Sequence, residues 1–592
     1  MTETYKQDRW QLDDLFSGFE TEKVTETLNE IEKRLSVFES IKSTLSADMD
    51  AEDFVKVLDQ YDSLIRLLSR LVGYSHLRFA EDTQDQEAQM YLAGFQQKIA
   101  ESDNRSLFFK LWWKDLDEQN ANRLMDASGD YRYFLEYLRV QKPYTLSEAE
   151  EKVINLKDVN GAHALTRLYD SITNRYVYKM VVDGEEQELT RGELAVYARS
   201  SDPDLRAASY KELFRVYEND LPILGQIYMA LVSDWHSENV DLRGFSCPIS
   251  VRNLGNDVPD EVVNTLLEVS EKNAVIFQDY FRLKAQWLGV DKLRRYDVYA
   301  PVVQSDKRYS YQEAIDLVKT SYSRFDSEYA ELAEKIFASR HIDSEVRKGK
   351  RSGAFCATIE PDLLPWVLTS YQGRADDVAT LAHELGHAVH SMLAADHTAL
   401  TQDPSLPLAE TASTFGEMLV VDYLLSQDSD PEVRRDLLFR QMDDNYATIM
   451  RQAYFAIFER DAHALIKKGA SIIDLNEAYQ KNLQTQFGDS LELNEEFKLE
   501  WAVIPHIFHT PFYVYAYAFG QLLVLSLYQQ YRREGETFKP IYRKILAAGG
   551  SASPAQILTD AGIDMASPAF WQGGFDVMKE SLEELKQIPV SR

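Results

Sequence analysis

From about residue 20 the chain repeats apolar residues three and four apart, in Val24, Leu28, Ile31, Leu35 and Phe38, then through Phe54 to Leu71 and Tyr91 to Trp113. That spacing gathers apolar groups on one stripe of a 3.6-residue helix, which is buried by packing helix on helix. The N-terminal half therefore reads as helical. One hairpin interrupts it. Tyr176 to Val182 alternates and is aromatic or β-branched, Asp183-Gly184 is a turn pair, and Gln187 to Leu189 can return. Helices resume from Thr190, with starts at Asp202-Pro203 and Val258-Pro259-Asp260. Hydrophobic residues make up 45% of the 592 and charged ones 27%, which is enough apolar material for large cores and argues against disorder. Composition shifts place breaks near 115 and 200. They separate an N-terminal helical region (1–114), a helical subdomain with the hairpin (115–199) and the remainder (200–592).

Charge excludes one class of partner. With 64 Lys plus Arg against 96 Asp plus Glu, the formal charge is -32, whereas binding a phosphate backbone needs clustered cations. No nucleic-acid partner is expected. The one dense basic run, Arg347 to Arg351, reads as a solvated turn. Cys247 and Cys356 are the only cysteines; they cannot make a disulfide framework, and a cytoplasmic location is expected. The first residues carry no apolar segment of a secretory signal, and Ala516 to Leu527 is too short to span a bilayer, so no membrane partner is expected.

The chemistry lies further on. Ala354 to Ile359 and Trp366 to Tyr371 read as two strands of a small sheet, with the second offering an edge to an extended peptide. Asp376 or Asp377 then caps a helix with Val378, Leu381, Ala382, Leu385, Ala388, Val389 and Met392 on its apolar side. This helix carries His383-Glu384-Leu385-Gly386-His387. Four residues make about one turn, so both imidazoles face the same way and can bind one Zn²⁺, with Glu384 beside them as a general base. Two histidines leave the ion under-coordinated. The metzincin pattern wants a third histidine at 393, which is Leu393 here. His390 is one turn too far along a straight helix and reads as packing or outer support. A second helix offers Glu410, Ser413 and Glu417 on one face. One of its carboxylates would bind metal and the other would orient a histidine.

The stretch Thr380 to His390, with the Glu-x-x-Ser-x-x-x-Glu pattern from Glu410 to Glu417, resembles the oligoendopeptidase F branch of the thimet oligopeptidase family. So do Trp10 to Phe16, Gly353 to Cys356 and Pro505 to Tyr517, and the resemblance covers nearly the whole chain. It implies a mainly α, two-lobed zincin-type metallopeptidase with a small β-sheet near the active helix and a deep substrate channel. It also implies that residues 200–592 are catalytic, that peptides and not folded proteins are cut, and that the third zinc ligand is Glu410.

Near the end, Thr510 and Pro511 can open a helix running to Gly535, with Tyr513, Tyr517 and Gly520 on one face and His509 just before it. Zinc hydrolases need donors toward the oxyanion, and His506, His509, Tyr513 and Tyr517 are the candidates. The function expected is thus a zinc-dependent oligoendopeptidase with one Zn²⁺ per chain, acting on internal bonds of short unstructured peptides. Two rivals are a dipeptidyl carboxypeptidase, which would need a cation such as Arg451 or Arg252 for the substrate's C-terminus, and a catalytically silent peptide-binding protein. The sequence is silent on oligomeric state.

Overall fold

The stripe at Val24, Ile31, Leu35 and Phe38 is buried on helix Glu22–Ile41, which packs with helices Ala51–Glu81 and Gln86–Asp115. The structure, a computed structural model, describes residues 5–302, 307–427 and 431–589. Helix takes up 71% of the chain and the sheets are small, as the periodicity requires. Trp10, Leu12, Leu15 and Phe16 join the core formed by these first helices and by Trp366 and Leu368. Each such side chain withdrawn from water contributes about 1.5–3 kcal/mol before entropy is counted.

A three-stranded sheet stands beside that core. Strands β1 (Ile342–Asp343), β2 (Phe355–Ala357) and β3 (Trp366–Leu368) lie in the order β1-β3-β2. β1 runs parallel to β3 with Ile342 opposite Val367, and β2 antiparallel with Cys356 opposite Val367. β3 is therefore central and fully buried, not the exposed edge expected of Trp366 to Tyr371. The outer strand beside the site is β2. The basic run is only partly a solvated turn: Lys348 and Arg351 are exposed, but Arg347 and Lys350 are not. Lys350 is 2% exposed and donates to Asp343 Oδ1 at 2.7 Å and to the carbonyls of Asp343, Glu345 and Thr369. Arg347 pairs with the same Asp343 and donates to the Glu81 carbonyl. A buried carboxylate on β1 thus recruits two cations and ties the sheet to the end of helix Ala51–Glu81.

The chain divides into two units, the first comprising residues 1–143, 306–427 and 530–563, the second 144–305, 428–529 and 564–592. Neither 115 nor 200 is a crossing point between them. The second unit contains the hairpin, with strands Tyr178–Val182 and Glu185–Leu189. Asp183 (φ 53°) and Gly184 (φ 82°) both adopt the left-handed conformation that a two-residue turn of this hand demands. It also contains the 34-residue helix Pro203–His236, capped by Asp202 with Pro203 at its first turn, and helix Asp260–Lys272. Among the described residues, no helix is long and apolar enough to cross a membrane.

Candidate metal centre

Helix α1 (Ala375–Leu393) starts two or three residues earlier than a cap at Asp376 or Asp377 implies. Arg374 is its N-cap, and Asp377 reaches back to accept from the backbone N–H groups of Arg374 and Gln372. Helix α2 (Thr411–Gln427) carries Ser413 and Glu417, whereas Glu410 sits just before it, after the short helix Leu406–Ala409. The two helices touch backbone to backbone. A Cβ at Gly386, inside the histidine motif, would come within 2.5 Å of the Ala412 carbonyl oxygen, and one at Gly416 within 2.4 Å of Tyr322 Oη. Only hydrogen fits at these crossings. Three buried phenols fix the backbone at the contact. Tyr322 donates to the Ala382 carbonyl at 2.5 Å, Tyr329 to Ala412 at 3.2 Å and Tyr542 to Thr411 at 2.9 Å.

This approach brings the expected ligands together. His383 Nε2 lies 3.3 Å and His387 Nε2 3.4 Å from Glu410 Oε2. The three ligand atoms fall within 4.8 Å of one another. Ligand bonds of about 2.0–2.1 Å in a tetrahedron give edges of about 3.3 Å, so this donor set matches a tetrahedral ion. Ser413 Oγ donates to Glu410 Oε2 at 2.8 Å, and Glu417 Oε1 lies 2.8 Å from His383 Nδ1. The contacts therefore separate the two carboxylates, with Glu410 facing both Nε2 atoms and Glu417 the far side of one ring.

The electrostatics of the cluster suit a cation. Burial disfavours charge on His383, but Glu410 and Glu417 outweigh it and lift its pKa to about 10. Burial would raise Glu410 too, yet the two histidines hold its carboxyl far below the usual range. Glu384 is different. Burial pushes its pKa up against the pull of both histidines, and its Oε2 has no hydrogen-bond partner among the described residues. It faces a cavity of about 440 Å³ shared with Phe355, Cys356, Thr358, His383, His387 and Glu410. His390 lines it as well but is 4% exposed. Burial holds its pKa down near 4, and its partners are the backbone groups of Ala409 and Leu546. Gly386 and Gly416 are the sequence signs of the helix crossing, and the three tyrosines that brace it carry no local signal.

The late candidates lie in the second unit and form their own cluster. The helix expected to open at Thr510-Pro511 begins only at Tyr515 and runs to Glu534, and Thr510 instead ends a separate short helix, Pro505–His509. Between them Phe512 takes φ 59°, a left-handed position for a bulky residue. Its N–H donates to Glu459 Oε1 at 2.9 Å, and Arg252 Nε donates to the Pro511 carbonyl. Tyr513 thus precedes the helix, stacks 6.2 Å from His506 and meets Tyr517 edge-on at 5.4 Å. Tyr517 is 38% exposed, and its pKa is pushed to about 12 by burial of the phenol and by Tyr513. His509 turns aside to Asp170 at 2.8 Å.

Two imidazoles, a ligand carboxylate and a free desolvated carboxylate on crossed helices are the equipment of a metal-dependent peptidase. Residues 196–577 match the model of peptidase family M3, and residues 112–178 that of oligopeptidase F. The chain is 28% identical to group B oligopeptidase PepB of Streptococcus agalactiae, over 97% of this chain and 96% of that one. It is 26% identical to oligopeptidase PepF of Bacillus subtilis, over 99% and 88%. A crystal structure of a protein from Chlamydophila abortus, provisionally classed as a peptidase, superposes with a TM-score of 0.90 at 25% identity, covering 99% of both chains. That of oligoendopeptidase-F from Enterococcus faecium gives 0.69 at 23% identity, covering 96% and 98%. The chain belongs to peptidase family M3. It is a metalloendopeptidase that hydrolyses oligopeptides, so the silent-binder reading falls away.

Proposed function

We propose that this chain is a zinc-dependent oligoendopeptidase in which His383, His387 and Glu410 hold one Zn²⁺ and Glu384 is the general base. The observation that carries the reading is the convergence of three ligand atoms beside a carboxylate oxygen with no partner. Bound zinc supplies Lewis acidity toward water and the scissile carbonyl. Glu384 takes the proton of the attacking water and returns it to the leaving amine. Its desolvation suits the role, because burial raises its pKa and makes the carboxylate a stronger base. Glu417 faces the Nδ1 side of the His383 ring and Ser413 donates to the Glu410 carboxylate, so two of the three ligands have an outer support. Substrate backbone pairs with the free edge of β2, and the donor for the oxyanion comes from His506, Tyr513 and Tyr517 more than from His509, which Asp170 engages. Product mapping on an unstructured peptide library tests this, with chelator and with zinc restored. Internal cuts that vanish on chelation and return with zinc are expected; dipeptides released from C-termini as the main product would overturn the endopeptidase assignment. Casein, cut slowly beside short peptides, checks the expected preference for oligopeptides.

A further inference from the structure

The cavity of about 440 Å³ at the candidate metal centre extends past the ligands to a wall that no step above uses. Thr358, Ser391, Asp403, Pro404 and Ala409 form that wall, and among the described residues no Lys or Arg lines the cavity. Thr358 Oγ1 and Ser391 Oγ hydrogen-bond to each other, so both keep lone pairs and neither brings charge. His390 beside them is buried and bonded to backbone groups. Asp403 differs from these neighbours. Solvent reaches it, yet its side chain makes no hydrogen bond or ion pair among the described residues. The protein around it raises its pKa by desolvation, and no partner opposes that.

The segment that carries Asp403 is held in place. It joins α1 to the short helix Leu406–Ala409, and so to Glu410. The Gly550 N–H donates to the Thr401 carbonyl at 2.8 Å, and Gln402 Nε2 donates to the Ser391 carbonyl at 3.3 Å. The segment passes so close to Gly549 and Gly550 that a Cβ on either would collide with the carbonyl oxygen of Gln402 or Asp403. A carboxylate without a partner on a clamped segment costs desolvation free energy that a free surface acid avoids. The pattern is that of a group whose counter-charge arrives with a ligand.

We propose that Asp403 is a specificity-determining residue that selects a lysine or arginine side chain of the peptide close to the scissile bond. The inference rests on the oligoendopeptidase reading and names a substrate class for that site. A compact space of this volume is roughly 9 Å across, about the reach of an extended lysine side chain or of two to three residues of extended backbone at about 3.3 Å each. The cation therefore belongs to a residue beside the cut and not to a distant one. An ammonium carries three donors, and Asp403, Thr358 and Ser391 are the acceptors on this wall. The net charge of -32 attracts cations to the whole chain, but such a field does not single out one position of a peptide. A fixed carboxylate does.

The test uses N-acetylated, C-amidated peptides, in which the only cation is the side chain being varied. A single lysine, or norleucine as its uncharged counterpart, is moved along a fixed sequence, and cut sites and kcat/KM are read by mass spectrometry. At one position relative to the cut, lysine should be preferred over norleucine by about tenfold, and added salt should shrink that ratio. Asp403→Asn should bring the ratio near one, with zinc content unchanged, and Asp403→Glu should keep part of it. Asp403→Lys should reverse the preference, so that glutamate becomes the better residue at that position. The ratio is the readout because a merely structural loss lowers both peptides alike. A ratio near one at every position in the wild-type enzyme, or a preference that survives Asp403→Asn, would overturn the proposal. So would loss of zinc from Asp403→Asn with an equal fall on both peptides, which would place Asp403 with the metal. Cleavage that persists under chelation would sink the zinc reading alone, because the lysine-to-norleucine ratio would still be measured.

Discussion

The candidate metal cluster around α1 and the start of α2 and the ring cluster around Tyr513 reach their geometry by opposite means. In the first, chemistry sits on regular helix. His383 and His387 are one turn apart, the crossing is closed by Gly386 and Gly416, and three phenols tie down the carbonyls at the contact. In the second, the helix is broken. Phe512 is left-handed, Tyr513 lies outside either helix, and the turn hangs on a hydrogen bond to the buried Glu459. A rigid scaffold suits ligands that must keep fixed separations, whereas an irregular turn can aim side chains that no helical face would group.

The comparison breaks first at Glu384. Glu384→Gln keeps the three metal ligands and removes the proton acceptor, so peptide hydrolysis should fall by about 10³-fold or more with metal content unchanged. Turnover retained in a metal-loaded variant would remove Glu384 from the chemistry. Next come the two carboxylates. Glu410→Ala should lose the ion outright, and Glu417→Ala should weaken binding by roughly 10- to 100-fold. Metal titration showing the reverse order would exchange their roles.

The ring cluster should respond differently. Tyr517→Phe or Tyr513→Phe deletes a phenol proton without touching metal, and loss of a single oxyanion donor costs about 10²- to 10³-fold in kcat. One of the two should show that loss with KM nearly unchanged. If neither does, the cluster is packing and the contrast between the regions is one of structure alone.

The smallest effect is on stability. Burial lifts the Glu459 pKa to about 8, against the Phe512 N–H and Arg252, so folded protein keeps a proton that the unfolded chain gives up near pH 4.3. Its contribution is fully present below that value and is lost as pH rises toward 8, at no more than about 1.4 kcal/mol per pH unit. Glu459→Gln cannot titrate, so the difference in urea midpoint between variant and wild type should shift in the variant's favour from pH 5 to pH 8. Parallel pH profiles for the two proteins would show that Glu459 is charged in the folded state.

Much of this was legible in residues close together in sequence. The histidine pair, Glu384 and the apolar side of α1 follow from helical spacing, and the hairpin from Asp183-Gly184. Errors came where distant segments decided. Trp366 to Tyr371 has the composition of any strand, and nothing local says that β1 and β2 cover both its edges. Arg347 to Arg351 looks solvated until Asp343 is placed beside it. Thr510-Pro511 has the form of a helix start, but the Phe512 N–H is claimed by Glu459, 53 residues away, and helix begins only at Tyr515.

The sequence by itself determined the helical class, the motif helix and the donor types near it, because periodicity and capping act over a few residues and their energies are local. Tertiary structure alone decided that Glu410 meets both imidazoles while Glu417 meets the back of one, that Tyr322, Tyr329 and Tyr542 brace the crossing, and that Arg451 shares Glu500 with Arg295. Those pairings join residues tens to hundreds of positions apart. They exist because burial makes an unpaired charge or hydrogen-bonding group costly, and the partner that satisfies it is chosen by packing and not by proximity along the chain.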